Sequence, residues 1–339
     1  MRYSIFSVQD HHPAFHRTVA QLYEQVIGEA RLAESLGYDT FFVAEHHFHE
    51  CGSVPNPAVF LAALARETTR IRLGVAVSNI TIHNPLTVAE DYAMVDMLSG
   101  GRLTLGVGSG YLRHEFEGHR ISPEEKRERF DENLQVLLQA LSGEPVHFQG
   151  KYNDLPGVAL NVRPLQQPGL PIHVAIQRRE AAYHVGRQGR NIFSLPYSCL
   201  TSAEEIRGLI EDYRKGYRES GAPGRGEAVL AFHCHVAESD AQAKVNAEEA
   251  FNLYLDTRLF YDTRRTYDTV VNAGLGMFGA PETVTNQLVA LHEMGIDHVM
   301  FLQNFGVLGS ALVHDSMRRI ATEVMPEVHR RIGKALSVS

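Results

Sequence analysis

The chain has 339 residues, of which 44% are hydrophobic and 21% are charged, a composition typical of a globular protein with a large core and not of a disordered one. Its formal net charge of -8 at pH 7 provides no general attraction to nucleic acid or to anionic membranes, so we expect neither as a partner. Three widely separated cysteines, an N-terminal segment without a signal-peptide pattern and the lack of a bilayer-spanning apolar run together predict a cytoplasmic protein.

Short apolar runs alternate with amphipathic segments along the whole chain, which is the pattern of parallel strands joined by helices. Eight strands are predicted, at residues 3–8, 40–44, 71–78, 103–107, 172–176, 192–195, 229–236 and 298–302. These eight units favour a single domain over residues 1–339, an α/β fold of the (β/α)8 or TIM barrel type; an open doubly wound sheet is the alternative. Two insertions are predicted, around residues 143–171 and 238–281, and each forms either a pocket wall or a packing or dimer surface.

The most informative segment is the end of the second predicted strand, where an apolar run from Thr40 to Ala44 stops at Glu45, His46 and His47. Barrel enzymes place their active sites at the C-terminal ends of the strands, so this carboxylate and these imidazoles are candidates for catalysis. Clustered ionisable groups mark functional sites only statistically, and a chain with 18 histidines also places some of them on ordinary loops.

Three further predicted strands end in segments that suit a ligand. The third ends in small side chains at residues 76–78, which leave room for a flat ring or serve ordinary barrel packing. The fourth leads into a glycine turn at residues 108–110, where the backbone can approach a ligand closely, although many such turns bind none. The fifth leads through residues 176–179 into a helix with two arginines, which suits phosphate binding unless both arginines are simply solvated.

Histidines near the ends of the first two strands raise the question of a metal site. The possible donors are His11, His12, His46, His47, His49 and Cys51. However, the first strand has no H-x-H pair, the chain has no H-E-x-x-H helix, and adjacent histidines on an extended segment point to opposite faces. The sequence therefore predicts no catalytic metal.

Several motifs, in order along nearly the whole chain, resemble the luciferase-like flavin monooxygenase family. They are Glu45-His46-His47-Phe48, the third strand, Ser99-Gly100-Gly101-Arg102-Leu103 with the glycine turn that follows it, Gly279-Ala280-Pro281-Glu282 and Glu323-Val324-Met325-Pro326. Each motif alone is moderately specific, and their joint agreement in this order makes chance resemblance improbable.

The resemblance implies a barrel that binds reduced FMN at the C-terminal ends of its strands. It makes His46 the catalytic histidine and places a non-prolyl cis peptide under the flavin ring. Beside His46, we expect Glu45 to orient an imidazole or balance its charge. The residues assigned to the cofactor are Ala76, Val77, Ser78, Gly108, Ser109, Gly110, Ile176, Gln177, Arg178 and Arg179. Two positions depart from the pattern, because bacterial luciferase has a reactive cysteine at the position of Gly108 and many relatives have Gly or Ser at that of Arg178.

The function that the resemblance implies is a two-component monooxygenase, in which a separate flavin reductase supplies reduced FMN and dioxygen is used to oxygenate a small organic substrate. A hydride-transfer enzyme that uses an 8-hydroxy-5-deazaflavin coenzyme is one alternative, and a noncatalytic flavin-binding subunit is another. Relatives usually pair through helices near the second and third strands, so we expect a homodimer with residues 58–65 at its interface.

Overall fold

Parallel strands dominate the architecture of this protein, for which a computed structural model describes residues 1–12, 17–49, 52–257 and 265–336. Within these ranges the strands are β1 (Arg2–Ser7), β2 (Thr40–Val43), β3 (Arg72–Asn79), β4 (Leu103–Gly108), β5 (Val146–Gln149), β6 (Asp154–Val158), β7 (Ile172–Ile176), β8 (Asn191–Ser194), β9 (Ala228–Val236), β10 (Met277–Gly279) and β11 (His298–Leu302). A closed parallel ring runs β1-β2-β3-β4-β7-β8-β9-β11 and returns to β1. The predicted barrel is confirmed, and the bounds of all eight predicted strands agree with the ring strands within one residue.

Helices alternate with these strands along the chain. They are α1 (Val19–Ser35), α2 (Pro57–Glu67), α3 (Pro85–Ser99), α4 (Arg113–Gly118), α5 (Lys126–Ser142), α6 (Arg179–Arg187), α7 (Pro196–Cys199), α8 (Glu204–Ser220), α9 (Asp240–Asp256), α10 (Tyr267–Asn272), α11 (Pro281–Glu293), α12 (Ser310–Arg319) and α13 (Met325–Leu336), with a 3-10 turn at Pro123–Glu125 and a π-helical turn at Ile320–Val324. Across the described ranges, we find no helix with both the length and the apolar character that crossing a membrane requires.

The two predicted insertions contain secondary structure that the apolar pattern did not reveal. The first holds the antiparallel hairpin of β5 and β6, and the second holds α9, α10 and β10, which extends the pairing along β9. Of the aromatic residues in the second insertion, Phe251, Tyr254 and Tyr267 are buried and belong to the core. The packing alternative therefore holds for these three residues, while the apolar positions 259–261 of the same insertion lie outside the described residues.

Two large rings fill the barrel and account for two of its glycines. Phe42 of β2 and Phe193 of β8 meet edge to face, with their ring centroids 5.4 Å apart. A Cβ atom at Gly74 would lie 2.3 Å from the Phe42 ring, and one at Gly106 would lie 2.6 Å from the Phe193 ring. Both glycines therefore serve core packing, which leaves the last residues of β3 and β4 as the candidates for the barrel mouth.

A charged network closes the N-terminal end of the barrel. Glu227 lies 3.1 Å from His173 Nε2 through one carboxylate oxygen and 2.6 Å from His298 Nδ1 through the other, and it also pairs with Arg2. Burial raises the pKa of Glu227, but the two histidines outweigh burial and bring it well below its usual range. Because barrel chemistry occurs at the opposite end of the strands, we assign this network a structural role.

Asparagine side chains cap the N-termini of α2 and α3, the helices that follow β2 and β3. Asn56 accepts a hydrogen bond from the backbone of Val59 and precedes Pro57, the first residue of α2. Asn84 caps α3 in the same way and precedes Pro85. A side-chain cap followed by proline is a strong helix start, so the loops after β2 and β3 are held at both ends.

Candidate active site

The loop after β2 places His46 against a carboxylate that the sequence analysis did not single out. His46 Nδ1 lies 3.2 Å from Glu115 Oε1, and the same oxygen accepts the backbone N–H of His47 at 3.0 Å. Glu115 belongs to α4, and its side chain is only 4% exposed against 11% for His46. An imidazole whose Nδ1–H donates to a carboxylate has its other nitrogen, Nε2, free to accept a proton.

Glu45 binds the second histidine of the motif and a histidine from the next loop. Its Oε1 lies 3.1 Å from His47 Nε2 and 2.8 Å from His83 Nε2. Its Oε2 accepts the Ser78 hydroxyl at 3.1 Å and the backbone N–H of Asn79 at 3.2 Å. Burial raises the pKa of Glu45, but the hydrogen bonds from the two histidines prevail and lower it to about 2. The ionised carboxylate therefore joins the loop after β2 to the end of β3.

The two histidines of the motif thus belong to different networks. The prediction that adjacent imidazoles point apart agrees with this arrangement, since His46 faces Glu115 and His47 faces Glu45. The expected orientation of an imidazole by Glu45 applies to His47 and His83, whereas no hydrogen bond joins it to His46. Burial lowers the pKa of His83, yet its hydrogen bond to Glu45 outweighs burial and leaves it raised.

The ends of β3 and β4 form a surface that only small residues allow. The Ala76–Val77 peptide bond is cis, as the resemblance implied. A Cβ atom at Gly108 would lie 2.5 Å from a methyl carbon of Val77, and one at Gly110, whose φ is +72°, would lie 2.4 Å from Asn79 Nδ2. Both polar atoms of the Asn79 amide group are buried and have no hydrogen-bond partner among the described residues. A buried amide without a partner is costly, so this side chain is suited to anchor a polar ligand.

Two cations meet beside the same glycine turn. Lys126 Nζ donates to the Gly110 carbonyl at 3.2 Å, and burial together with the nearby Arg178 guanidinium lowers the lysine pKa. Arg178 is the residue before α6 and provides no side-chain cap, so the helix N-terminus adds its own positive potential. In the part of the chain that the structure describes, neither cation has a carboxylate partner. Arg179, in contrast, pairs with Asp212 on α8 at 3.0 Å.

The other residues predicted to bind the cofactor differ in their contacts and in their exposure. The Ser78 hydroxyl is used by Glu45, and the Ser109 carbonyl accepts the Thr81 hydroxyl at 3.1 Å. Ile176 is buried at the end of β7, and Gln177 is exposed. The sequence analysis missed Glu115, His83, Lys126 and Asn79, of which only Asn79 carried a usable signal, its place at the end of a predicted strand.

The metal donors considered from the sequence do not come together as a group. His11 Nε2 lies 2.8 Å from the Arg17 carbonyl, and Cys51 lies outside the described residues. His47 instead joins Glu45 and His83, and the ligand atoms of these three all lie within 4.8 Å of one another.

Comparisons with known proteins identify a family that this chain matches. The sequence model of the family described as luciferase-like monooxygenase matches residues 1–298. The oxygenase component of the flavin-dependent trigonelline monooxygenase of Acinetobacter baylyi is 26% identical to the chain over 96% of the chain and 95% of its own length. An F420-dependent glucose-6-phosphate dehydrogenase of Amycolatopsis mediterranei is 32% identical over 46% of the chain and 49% of its own length.

Among solved structures, the monooxygenase RslO1 from Streptomyces bottropensis matches with a TM-score of 0.87 and 27% identity, over 96% of this chain and 99% of its own. Three further curated relatives are matched over only 66%, 60% and 59% of their own length. This chain and RslO1 therefore share their fold over nearly their whole length.

The Glu45 network predicts an acid-dependent part of the protein's stability. Glu45→Gln removes a buried charge that accepts four hydrogen bonds, so we expect it to lower the free energy of unfolding by about 1.5–3 kcal/mol at neutral pH. Because the folded pKa of about 2 lies below the ordinary value of 4.5, the stabilisation is present above pH 4.5 and is lost as the pH falls toward 2. Urea denaturation of both proteins across this range measures the difference.

The control for this prediction is Glu180→Gln, because Glu180 is exposed and its exchange removes a charge from the surface. Its unfolding curves should follow those of the wild type at every pH. Equal acid dependence in the wild type and in Glu45→Gln would contradict the assignment of an ionised Glu45.

Proposed function

We propose that this chain, which belongs to the luciferase-like monooxygenase family, is a monooxygenase that uses reduced FMN and dioxygen to oxygenate a small organic substrate. Family membership makes it an oxidoreductase of the luciferase-like type, and relatives of this type include flavin-dependent and F420-dependent enzymes. A separate flavin reductase supplies the reduced cofactor in this proposal. The observation that carries it is the set of ligand-directed groups around one turn, the unpartnered Asn79 amide on one side and the Lys126 and Arg178 cations on the other.

The residues at this turn fit FMN. The Asn79 amide offers one donor and one acceptor, which is what the polar edge of a flavin pyrimidine ring requires. Gly108 and Gly110 keep side chains away from the end of β3, so a flat ring can approach the backbone. Lys126, Arg178 and the N-terminus of α6 supply the positive charge that holds a phosphate group.

Reduced FMN, when bound, supplies the electrons that activate dioxygen, which is chemistry that the side chains cannot provide. The chain itself positions the substrate, limits water and moves a proton. His46 performs the last task, because Glu115 holds its Nδ1–H and leaves Nε2 to accept a proton and return it. Imidazole suits this task since its ordinary pKa lies near neutrality. Glu45 acts on His47 and so positions the loop that carries His46.

Exchange of His46 tests the proton transfer. His46→Asn should lower kcat by roughly 100-fold or more, because general acid–base catalysis contributes about that factor. FMN affinity should stay unchanged. Glu115→Gln should lower kcat less, since a glutamine oxygen still accepts from Nδ1–H. Product formation with a flavin reductase, FMN, dioxygen and a panel of organic substrates measures these changes.

His184→Ala is the matched control for this measurement, because His184 is exposed on α6 and lies outside the site. It should retain wild-type turnover. Full turnover by His46→Asn with the same substrate would remove His46 from the mechanism, and a wild type that gives no product with any substrate would favour the noncatalytic subunit.

The difference in affinity between FMN and riboflavin tests the assigned phosphate site. FMN should bind more tightly than riboflavin, which lacks the phosphate, and Lys126→Ala or Arg178→Ala should weaken FMN by about tenfold to hundredfold without changing riboflavin affinity. Arg187→Ala is the control, since its guanidinium pairs with Glu219 at the C-terminal end of α6, away from the proposed phosphate site. Fluorescence titration of each protein measures both affinities. Equal affinity of the wild type for FMN and riboflavin would contradict the assigned phosphate site.

The deazaflavin alternative rests on the same two cations, because Lys126 and Arg178 also suit a longer acidic tail. A deazaflavin coenzyme reacts poorly with dioxygen, so oxygen consumption separates the two functions. Tight binding of the deazaflavin coenzyme with no uptake of FMN would replace the monooxygenase proposal with hydride transfer.

A homodimer through α2 and α3 completes the proposal. Within the expected interface, Ala58 and Ala65 are buried inside the chain, whereas Val59 is 69% exposed. The neighbouring α3 presents Met94 and Met97, which are 50% and 53% exposed. Exposed apolar side chains on two adjacent helices are typical of a protein interface.

The double variant Met94→Glu/Met97→Glu should be a monomer, because it places two charges where apolar contact is expected. Sedimentation velocity of the purified proteins measures the change in mass. Val245→Glu is the control, since Val245 is 77% exposed on the distant α9 and its exchange should leave a dimer intact. A wild type that sediments as a monomer at every concentration would refute this interface.

A further inference from the structure

We propose that Glu45, His47 and His83 also form a binding site for a divalent transition-metal ion of the zinc type. The three side chains come from two loops, those after β2 and β3, and they meet at a single point. His47 Nε2 and His83 Nε2 lie 3.1 Å and 2.8 Å from the same oxygen, Glu45 Oε1. In the described ranges, these three residues are the only group of three such donors whose ligand atoms all lie within 4.8 Å of one another.

The Glu227 network at the N-terminal end of the barrel has a contrasting arrangement, in which the two histidines do not share an oxygen. Glu227 also binds two histidines, but His173 meets one carboxylate oxygen and His298 the other. Donors spread over both oxygens hold a carboxylate in place without leaving a common point for an ion. At Glu45, by contrast, both imidazoles share Oε1, and the other oxygen is held separately by Ser78 and Asn79.

The donor set selects the kind of ion. Two imidazole nitrogens and one carboxylate oxygen suit Zn²⁺, Co²⁺, Ni²⁺ or Cu²⁺, whereas Mg²⁺ and Ca²⁺ prefer oxygen ligands alone. Ligand atoms around a tetrahedral zinc ion lie roughly 3.4 Å apart, as follows from metal–ligand distances of about 2.1 Å. The observed separations of 2.8 Å and 3.1 Å are close to that value, so small side-chain rotations are sufficient. Each imidazole must then carry its proton on Nδ1 and turn the Nε2 lone pair to the ion.

The surroundings provide both support and access. The hydrogen bonds to Glu45 Oε2 fix the carboxylate, as is usual for carboxylates that bind metals. A cavity of about 180 Å³ between the starts of α2 and α3 is lined by Glu45 and His83 and by Asp91, which adds a carboxylate to the entrance. Water in this cavity can complete the coordination of the ion.

A third histidine adds an independent observation. The His119 ring lies edge-on to His47, with the ring centroids 4.8 Å apart, and 5.9 Å from the His83 ring. Its Nε2 is buried and has no hydrogen-bond partner among the described residues. This nitrogen is not among the ligand atoms that lie within 4.8 Å of one another, so we count three protein ligands and leave the remaining coordination to water.

Metal titration of the full-length, tag-free protein tests the site without any flavin or substrate. The wild type should bind one Co²⁺ or Zn²⁺ ion per chain by isothermal titration calorimetry, and Co²⁺ should give the visible absorption of a tetrahedral complex. His83→Gln should weaken binding at least 10–100-fold, the loss that even an outer contact of a metal site causes. Glutamine can still donate to Glu45, so this variant should keep the hydrogen-bonded loop and the wild-type melting temperature.

His184→Gln is the matched control, because it removes an exposed histidine outside the cluster and should leave binding unchanged. The proposal is overturned if the wild type takes up neither Co²⁺ nor Zn²⁺, or if His83→Gln binds them as well as the wild type. Stronger binding of Mg²⁺ than of Zn²⁺ would overturn it too. Because no cofactor is present, these results do not depend on whether the FMN proposal succeeds.

Discussion

The ionised carboxylate of Glu45 is the interaction on which the mouth of this barrel depends. It is nearly inaccessible to water, yet it stays charged because four hydrogen bonds reach it from the loop after β2, the end of β3 and the loop after β3. Removal of one donor would leave a buried charge only partly satisfied, which is far more costly than loss of an exposed ion pair. The positions of the loops after β2 and β3 therefore depend on each other, because both loops bind the same carboxylate.

The histidine proposed for proton transfer and the histidine of the structural network bind different carboxylates. His46 and His47 are adjacent in sequence, but the extended backbone directs them to different carboxylates, Glu115 and Glu45. The Glu45 carboxylate therefore binds His47 and not His46. The backbone N–H of His47 also binds Glu115, so the two networks are mechanically linked through one peptide. In the proposed mechanism, this link holds the His46 imidazole on a rigid support.

The sequence predicted what depends on local pattern. Apolar runs of the right length gave all eight barrel strands, and the Glu45 to His47 segment was found because it ends one of them. Residues 259–261 and Cys51 remain outside the described part of the chain, and the roles of the cofactor residues remain predictions. The cis bond before Val77 was implied by the resemblance alone, since no local pattern of residues encodes it.

Residues that meet the site from other loops could not be predicted in this way. Glu115 lies on α4 after β4 and meets His46 because β2, β3 and β4 are neighbours in the sheet. Lys126 lies at the start of α5 and meets Gly110, 16 residues before it, only once the chain between them has folded back. His83 could be placed beside Glu45 only once the pairing register of β2 and β3 was known.

The same limit applies to the two carboxylate–histidine networks. Both contain one glutamate and two histidines, and these shared residues do not by themselves distinguish the structural network at Glu227, which also includes Arg2, from the converging donors at Glu45. The difference lies in which carboxylate oxygen each imidazole meets. The same residue types therefore stabilise the N-terminal end of the barrel and, at the C-terminal end, converge on a single carboxylate oxygen, where we propose the metal site.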